Sequence, residues 1–316
     1  MPQKRRPRRG SLQFYPRKRA ARFLPSVNWE PVSETIKEKG LLGFIVYKVG
    51  MATALVKDNT EKVMSSKKQI ATPVTILEVP SMKILAVRFY KNSIPLKDVV
   101  VSNDKELKRI VRVTKTLKPF DSQIPESYDD IRVLVYSLPK QTSIKKTPDI
   151  IELAINSDNK LEFVKSLVGK ELTLENLAKT KLIDVRGVTK GKGNQGPIQR
   201  FGLKLKFHKS EKGRRRPGSI GPWHPAHVTF RAPMAGQMGL HTRIIYNLHI
   251  LSQGKISDKN INPSQGFKNY GKINSSYLIV KGSVPGPAKR QLLITSAFRP
   301  SKVQAKQKLE FMEVLN

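Results

Sequence analysis

The stretch RRRPGSIGPWHPAHVTFRAP, residues 214–233, limits what this chain can fold into more than any other part of the sequence. It contains four prolines, which remove backbone donors and fix φ, and two glycines, which loosen the chain between them. Neither a long helix nor a central strand accepts this pattern. We therefore predict a loop, and an apolar ring as large as that of Trp223 on such a loop needs a partner.

Basic charge is concentrated in two segments of the chain. The 316 residues include 59 Lys and Arg against 24 Asp and Glu, a formal net charge of +35. Residues 1–22 hold nine basic residues and no acid, and residues 186–243 hold thirteen against Glu211 alone. Such a balance repels itself unless a polyanion offsets it, so nucleic acid is the expected partner.

Several classes of protein are excluded by composition. Cysteine is absent, which excludes disulfides, zinc knuckles and thiol catalysis. The basic start lacks the apolar core of a signal peptide, and no stretch reaches about eighteen apolar residues. The basic residues lie in loops broken by Pro and Gly, not on one face of an amphipathic helix. We therefore expect no membrane span, no membrane surface as partner, and a protein made and used in the cytoplasm.

Short runs rich in β-branched and aromatic residues, bounded by Gly, Pro, Asn and Asp, favour strands over most of the remaining chain. These runs begin at residues 41, 72, 83, 131, 149, 181, 242, 275 and 290. We predict helices for NDKELKRIVRV at 103–113 and for NKLEFVKSLVG from 159, and a short third helix from Thr173.

The order of these elements predicts a mainly β fold with a discontinuous β-barrel domain and an inserted α/β domain. The barrel is expected from residues 35–75 and 180–300, and the insertion from 76–179. We expect a basic N-terminal extension at 1–34, a basic loop extension that penetrates RNA at 190–243, and a C-terminal tail at 301–316. The sequence contains no internal repeat.

A glycine-rich basic stretch, residues 187–216, permits close approach of the backbone to phosphates, with charge from Lys190, Lys192 and Arg200. It is not a P-loop, because Lys192 is followed by glycine and not by Ser or Thr at the start of a helix. A solvated basic loop is the structural alternative. We favour contact with an RNA backbone.

The histidines lie close together in the sequence, at His208, His224, His227, His241 and His249. Pro225 prevents the helix that would place His224 and His227 on one face, and no Asp or Glu lies between residues 212 and 257. We therefore expect no metal site and no cofactor. We favour contact of these imidazole rings with phosphate, ribose or base over binding of a metal.

For Trp223 the structural alternative is a buried core ring, which is the usual place of tryptophan. Its neighbours are Gly221, Pro222, His224 and Pro225, which do not form an alternating apolar strand. We therefore predict that this ring stacks or wedges against RNA.

Five motifs in one order resemble the signatures of the family of the universal third protein of the large ribosomal subunit. They are GSLQFYPRKRA at 10–20, GVTKGKGNQG at 187–196, GPWHPAHV at 221–228, GQMGLHTR at 236–243 and YLIVKGSVPGPAKR at 277–290. Residues 203–213 match less clearly. The start of the chain and the middle insertion are typical of archaeal and eukaryotic members, and the modest length favours an archaeal one.

This resemblance implies a structural, non-enzymatic protein that binds large-subunit ribosomal RNA of the 23S type and supports subunit assembly. It implies neighbouring large-subunit proteins as partners, no small-molecule substrate, and a cytoplasmic place in the large subunit. In the family the loop with GPWHPAHV is the tip of the main extension, so Trp223 is the residue expected nearest the peptidyl transferase centre. The residues expected to contact ribosomal RNA are Arg17, Lys18, Arg19, Lys190, Lys192, Arg200, Arg214, Arg215, Arg216, Trp223, His224, His227, Arg231, His241, Arg243, Lys289 and Arg290.

Two other functions stay open from the residues alone. A free-standing RNA-modifying enzyme needs a cofactor pocket or an acid–base pair, and the basic region offers only Glu211. A DNA-compacting protein predicts similar affinity for duplex DNA and for ribosomal RNA at one salt concentration.

Overall fold

The computed structural model describes residues 10–36, 38–112, 114, 116–177 and 180–315. Its strands are β1 Gly40–Leu41, β2 Gly43–Asp58, β3 Gln69–Val79, β4 Met82–Lys91, β5 Ile94–Val100, β6 Asp130–Ser137, β7 Ile150–Asn156, β8 Leu182–Val188, β9 Asn194–Gln195, β10 Gly236–Gln237, β11 Thr242–Lys255, β12 Ser276–Lys281, β13 Gln291–Ser296 and β14 Leu309–Leu315. Its α-helices are α1 Glu30–Thr35, α2 Lys160–Leu167, α3 Pro197–Phe201 and α4 Lys302–Lys306.

The main sheet closes on itself. Its strands follow the order β13-β8-β11-β12-β3-β2, and β13 pairs again with β2, with Gln291 opposite Tyr47 and Thr295 opposite Gly43. Strand β2 is long enough to pair with β13 along its first half and with β14 along its second half. Closure leaves no free strand edge within the ring, which is how a barrel protects its backbone groups.

A second sheet, with strand order β1-β7-β6-β4-β5, is antiparallel throughout. Helix α2 begins at the side chain of Asn159, which accepts from the backbone of Glu162, and it ends before Gly169, where φ is +79°. Its buried residues Val164 and Leu167 belong to one hydrophobic core shared by barrel and second-sheet residues. The expected mainly β fold is confirmed, as are all nine predicted strands and the helix from 159.

The helix predicted for 103–113 is wrong for the described residues. Only one 3-10 turn forms there, Leu107–Arg109, and Val113 lies outside the described residues. Leu107 is buried, whereas Ile110 and Val111 are exposed, so the segment has no apolar stripe to pack. The short helix from Thr173 is also a single 3-10 turn, Leu174–Asn176, held by the side chain of Asn176.

The segment predicted as a C-terminal tail, residues 301–316, contains α4 and β14. Strand β14 pairs antiparallel with β2 from Leu309 opposite Asp58 to Leu315 opposite Thr53. The residue pattern of this segment did not predict a strand. The expected boundary between residues 75 and 76 falls inside β3, and the domain limits stay predictions.

The described residues divide into two units. Residues 10–22 and 188–242 form one, which we call the extension unit, and residues 23–187 and 243–315 form the other, the barrel unit. The barrel unit contains both larger sheets. Among the described residues, no helix combines the length and hydropathy that a membrane crossing requires.

Candidate nucleic-acid interface

The extension unit is built on a ribbon of two chain segments. Strand β9 pairs antiparallel with β10, and beyond them the amide of Lys192 donates to Met238 and that of Thr189 to His241, at 2.9 and 3.0 Å. At Gly239, where φ is +73°, a Cβ atom would lie 2.0 Å from the carbonyl oxygen of Lys190. The ribbon therefore needs glycine at this position.

The N-terminal segment is attached to the same ribbon. The amide of Ala20 donates to the carbonyl of Leu240 at 2.8 Å, and Nδ1 of His241 lies 3.1 Å from the carbonyl oxygen of Lys18. Lys18 and Arg19 are exposed there. The structure therefore brings two basic motifs that are more than 150 residues apart in sequence into one unit.

Arg17 and Arg200 are packed around one aromatic ring. Helix α3 begins at Pro197 and ends at Phe201, which is buried. The guanidinium carbons of Arg17 and Arg200 lie 4.7 and 5.3 Å from the centre of that ring, a cation–π arrangement. Arg200 also donates to the carbonyls of Gln237 and Met234. Burial, and then the positive charge of Arg17, lower the pKa of Arg200.

These contacts give both arginines a role inside the protein. An Arg side chain has five N–H donors, and the described partners of Arg200 occupy two of them. The two guanidinium groups therefore contribute to the fold of the extension unit.

Residues 204–235 form a long loop in which no side chain is buried. The loop predicted from the prolines and glycines is confirmed. Arg214 and Lys206 hold its first part together, since the amide of Lys206 donates to the carbonyl of Arg214 at 3.2 Å and Nε of Arg214 donates back at 3.4 Å. Arg215 and Arg216 are exposed beside them.

The middle of this long loop is apolar and open. The side chain of Trp223 is 87% exposed, whereas Trp29, on the barrel unit, is 2% exposed. A cavity of about 370 Å³ lies between Ile220 and Val228, lined by these two residues and by Gly221, Pro222, Trp223, Pro225, Ala226 and His227. Phe230 is anchored by an edge contact with Tyr15, with ring centres 5.1 Å apart.

The histidines lie in different parts of the structure. His224 and His227 are exposed on the long loop, and His241 lies on the ribbon. His249 is buried in β11, where burial lowers its pKa. Within the part of the chain that the structure describes, no group of His, Cys, Asp and Glu has the arrangement of a metal site.

The electrostatics of the extension unit are one-sided. Glu211 is the acid that its sequence contains, and the ion pairs among the described residues all lie in the barrel unit. Among the described residues, the exposed cations Lys190, Lys192, Arg215 and Arg216 therefore form no ion pair. Such a surface attracts a polyanion.

Three of the predicted contact residues, Arg243, Lys289 and Arg290, lie on the barrel unit. Lys289 is exposed with φ of +66°, and the guanidinium carbon of Arg290 lies 4.6 Å from the ring centre of Phe23. Burial lowers the pKa of Arg290.

Sequence reasoning missed two basic residues of the barrel unit that have structural partners. The ammonium of Lys48 donates to the carbonyls of Val284 and Gly286 at 2.8 and 2.9 Å, and so holds the loop before Lys289. Arg186, counted in the basic segment, is buried and donates to the hydroxyl of Thr295. Neither partner is near in sequence, so no local pattern identifies these roles.

Comparison with known proteins agrees with the resemblance in the motifs. The model of the family described as ribosomal protein L3 matches residues 1–112 and 88–314. Large ribosomal subunit protein uL3 of Methanococcus vannielii is 40% identical over 95% of this chain and 93% of its own length. The proteins of the same name from Methanocaldococcus jannaschii and Methanococcus aeolicus are 40% and 41% identical, over 94% and 93% of this chain.

These relatives come from archaea, in agreement with the archaeal form expected from the motifs. The matches span both units, so the likeness is not confined to the basic loops. From the family model and the identities together, the chain belongs to the ribosomal protein L3 family, a family of structural ribosomal proteins and not of enzymes.

Proposed function

We propose that this protein binds large-subunit ribosomal RNA through its extension unit, supports assembly of the subunit, and directs the Trp223 region of the long loop toward the peptidyl transferase centre. It works in the cytoplasm, within the large ribosomal subunit, beside other large-subunit proteins. Membership of the L3 family supports the ribosomal role. The approach to the catalytic centre follows from the resemblance of GPWHPAHV to the family's loop tip.

The single observation that carries the proposal is the long loop itself. A segment of 32 residues without one buried side chain cannot gain the burial energy that would offset the entropy of ordering it. Arginines and an 87% exposed tryptophan on the same loop are the groups that bind phosphates and stack on bases. The loop therefore has the composition of a segment that is ordered by RNA.

The chemistry of the interface is backbone recognition with one aromatic contact. Arg215 and Arg216 present planar guanidinium groups that match phosphate oxygens in pairs. The glycines of the ribbon allow the chain to approach a sugar–phosphate backbone closely. Trp223 adds a flat apolar surface, and stacking on one base contributes about 1 to 3 kcal/mol.

A binding experiment with matched charge changes tests the proposal. The variant Arg214→Gln, Arg215→Gln, Arg216→Gln removes three cations from the extension unit. The control variant Lys268→Gln, Lys302→Gln, Lys306→Gln removes three exposed cations from the barrel unit. Binding of each full-length chain to transcribed large-subunit ribosomal RNA is measured over a range of KCl concentrations.

We expect the arginine variant to lower the slope of log affinity against log salt by about 2 to 3, since each phosphate contact contributes roughly 0.7 to 0.9. The control variant is expected to leave the slope near that of the unchanged protein. Equal slopes for both variants would contradict the proposal. Equal affinity of the unchanged protein for duplex DNA, in competition at one salt concentration, would favour the DNA-compacting alternative.

The position of Trp223 is tested in assembled subunits. Trp223→Ala is expected to leave the barrel unit folded and to change the chemical reactivity of RNA bases around the peptidyl transferase centre. Phe207→Ala is the control, because Phe207 is an exposed ring (68%) elsewhere on the same loop. Identical reactivity of those bases in the Trp223→Ala and unchanged subunits would refute the proposed position.

A further inference from the structure

The connection after β5 contains a basic turn that does not belong to the extension unit. Residues 104–112, with sequence DKELKRIVR, belong to the barrel unit. Leu107 is fully buried in a small core with Leu85, Ala86, Tyr136 and Leu138. The amides of Ile110 and Val111 both donate to the carbonyl of Leu107 at 2.9 Å. One buried leucine therefore anchors a turn whose following residues face outward.

The acids of this turn are neutralised by the protein itself. Asp104 accepts from the hydroxyl of Tyr136 at 2.6 Å and pairs with Lys83 at 3.4 Å. Glu106 pairs with Lys140 at 2.8 Å. Both carboxylates thus have partners from other elements of the barrel unit. They do not offset the basic side chains of their own turn.

Three cations of the turn are exposed to solvent. Lys108, Arg109 and Arg112 are exposed, and none of their side chains has a hydrogen-bond or ion-pair partner among the residues that the structure describes. Between them lie Ile110, 43% exposed, and Val111, 36% exposed. Within five residues the turn therefore presents three exposed cations and two small apolar surfaces.

We propose that the 104–112 turn is a second contact with the ribosomal RNA backbone, separate from the extension unit. This inference rests on the proposed function, because it takes the same RNA as its ligand. Phosphate oxygens supply the opposite charge that Lys108, Arg109 and Arg112 lack. The turn holds the three cations on a short anchored segment, as a backbone contact requires.

An RNA backbone fits this surface better than a protein does. The core of a protein interface is depleted of charge and is centred on large apolar or aromatic anchors. Here the exposed apolar residues are one isoleucine and one valine, and each is flanked by cations. Two arginines and a lysine whose neighbouring acids pair with other cations are typical of phosphate recognition.

The first test is a charge variant. Lys108→Gln, Arg109→Gln, Arg112→Gln is compared with the Lys268, Lys302 and Lys306 control variant and with the Arg214, Arg215 and Arg216 variant. Affinity for transcribed large-subunit ribosomal RNA is measured against KCl. We expect the turn variant to reduce the salt slope by about 2 to 3 and to weaken binding by about tenfold, while the control stays near the unchanged protein.

The outcomes separate this inference from the proposed function. If the turn variant behaves as the control while the Arg214–Arg216 variant loses affinity, the turn is not an RNA contact and the proposed function stands. If the unchanged protein itself fails to bind the RNA, the proposed function fails first. Circular dichroism and thermal unfolding of the turn variant check that a loss of affinity is not a loss of fold.

The second test uses the absence of cysteine from the chain. A single cysteine introduced by Ile110→Cys carries a tethered iron chelate, and the labelled protein is assembled into large subunits. We expect hydroxyl radicals from this position to cleave ribosomal RNA, as we expect of a Trp223→Cys probe. Cleavage from position 223 but none from 110, or cleavage of a neighbouring protein alone from 110, would overturn the inference.

Discussion

The barrel unit and the extension unit use charge in opposite ways. On the second sheet, Glu152 accepts from the hydroxyl of Tyr90 and pairs with Arg88 and Arg132, at 3.2 and 3.4 Å. Arg88 in turn holds Asp98 through two nitrogens. The extension unit has many cations and Glu211 alone. Charge in the barrel unit therefore contributes to its own fold, and charge in the extension unit is left for a partner.

The two tryptophans repeat this contrast. Trp29 is buried in the main core and its indole N–H donates to the carbonyl of Glu152 at 3.1 Å. Trp223 is exposed on a loop with no buried residue. The same side chain is a packing residue where strands surround it, and a binding surface where prolines and glycines prevent strands from forming.

The largest expected effect is the loss of the buried tryptophan. Trp29→Ala should lower the free energy of unfolding by about 3 to 5 kcal/mol, because it leaves a cavity in the main core and an unpaired carbonyl at Glu152. Trp223→Ala should change it by less than about 0.5 kcal/mol. Urea unfolding of both variants measures the difference. Equal losses would break the distinction between the two units.

A smaller loss is expected at the ion pairs. Glu152→Gln removes the negative charge shared by Arg88 and Arg132, and should destabilise the barrel unit by about 1 to 3 kcal/mol, since that carboxylate is largely covered. Glu211→Gln, at an exposed position in the extension unit, should change stability by less than about 0.5 kcal/mol. The same urea titration compares them. A stability loss at Glu211 equal to that at Glu152 would contradict this prediction.

The ribbon of the extension unit is tested by two glycines. In Gly239→Ala the backbone has a positive φ of +73°, and the new Cβ lies 2.0 Å from a carbonyl oxygen. The ribbon should therefore open and RNA binding should fall. Gly193→Ala has a similar φ of +67° but open space around its Cβ, so its cost should be only the backbone strain of about 1 to 2 kcal/mol. Hydrogen exchange at the amides of Lys192 and Met238 separates the two. Equal protection in both variants would show that the close approach at Gly239 is unimportant.

The smallest expected effect is on pH dependence. Burial, and then the charge of Lys281, lower the pKa of His249, so the unfolded state binds its proton more readily than the folded state does. Stability from this group is present above its ordinary pKa of about 6.5 and is lost as the pH falls below it, by at most about 1.4 kcal/mol per pH unit. His249→Gln should flatten the profile of unfolding free energy between pH 7.5 and 5. Urea unfolding at a series of pH values measures this profile, and an unchanged profile in His249→Gln would contradict the prediction.

Much of the fold follows from local pattern. All nine predicted strands form, because β-branched and aromatic runs suit a pleated and half-buried surface. Asn159 and Gly169 bound α2 as expected from their roles at helix ends. The helix predicted at 103–113 fails because only Leu107 finds a packing partner, and periodicity alone does not supply one.

The residue types of the candidate interface could be predicted from the sequence, but the contacts that these residues make within the protein could not. The exposure of Arg215, Arg216 and Trp223 agrees with the expectation from prolines, glycines and charge. Composition and charge did not distinguish these exposed residues from Arg17 and Arg200, which pack around Phe201. They did not distinguish them from Arg186 either, which is buried. The sequence does not show whether the charge of a basic residue is exposed or covered, because that depends on residues that are far away in the chain.

The sequence by itself determined the β-rich character of the chain, the loop around Trp223, the excess of basic charge and the family. These depend on residue type and on short spacing, which act locally. Tertiary structure decided the closure of β13 on β2, the pairing of β14, the attachment of Ala20 to Leu240, and the difference between covered and free cations. Each of these joins residues far apart in the chain, and their energy depends on packing and desolvation that no local pattern contains.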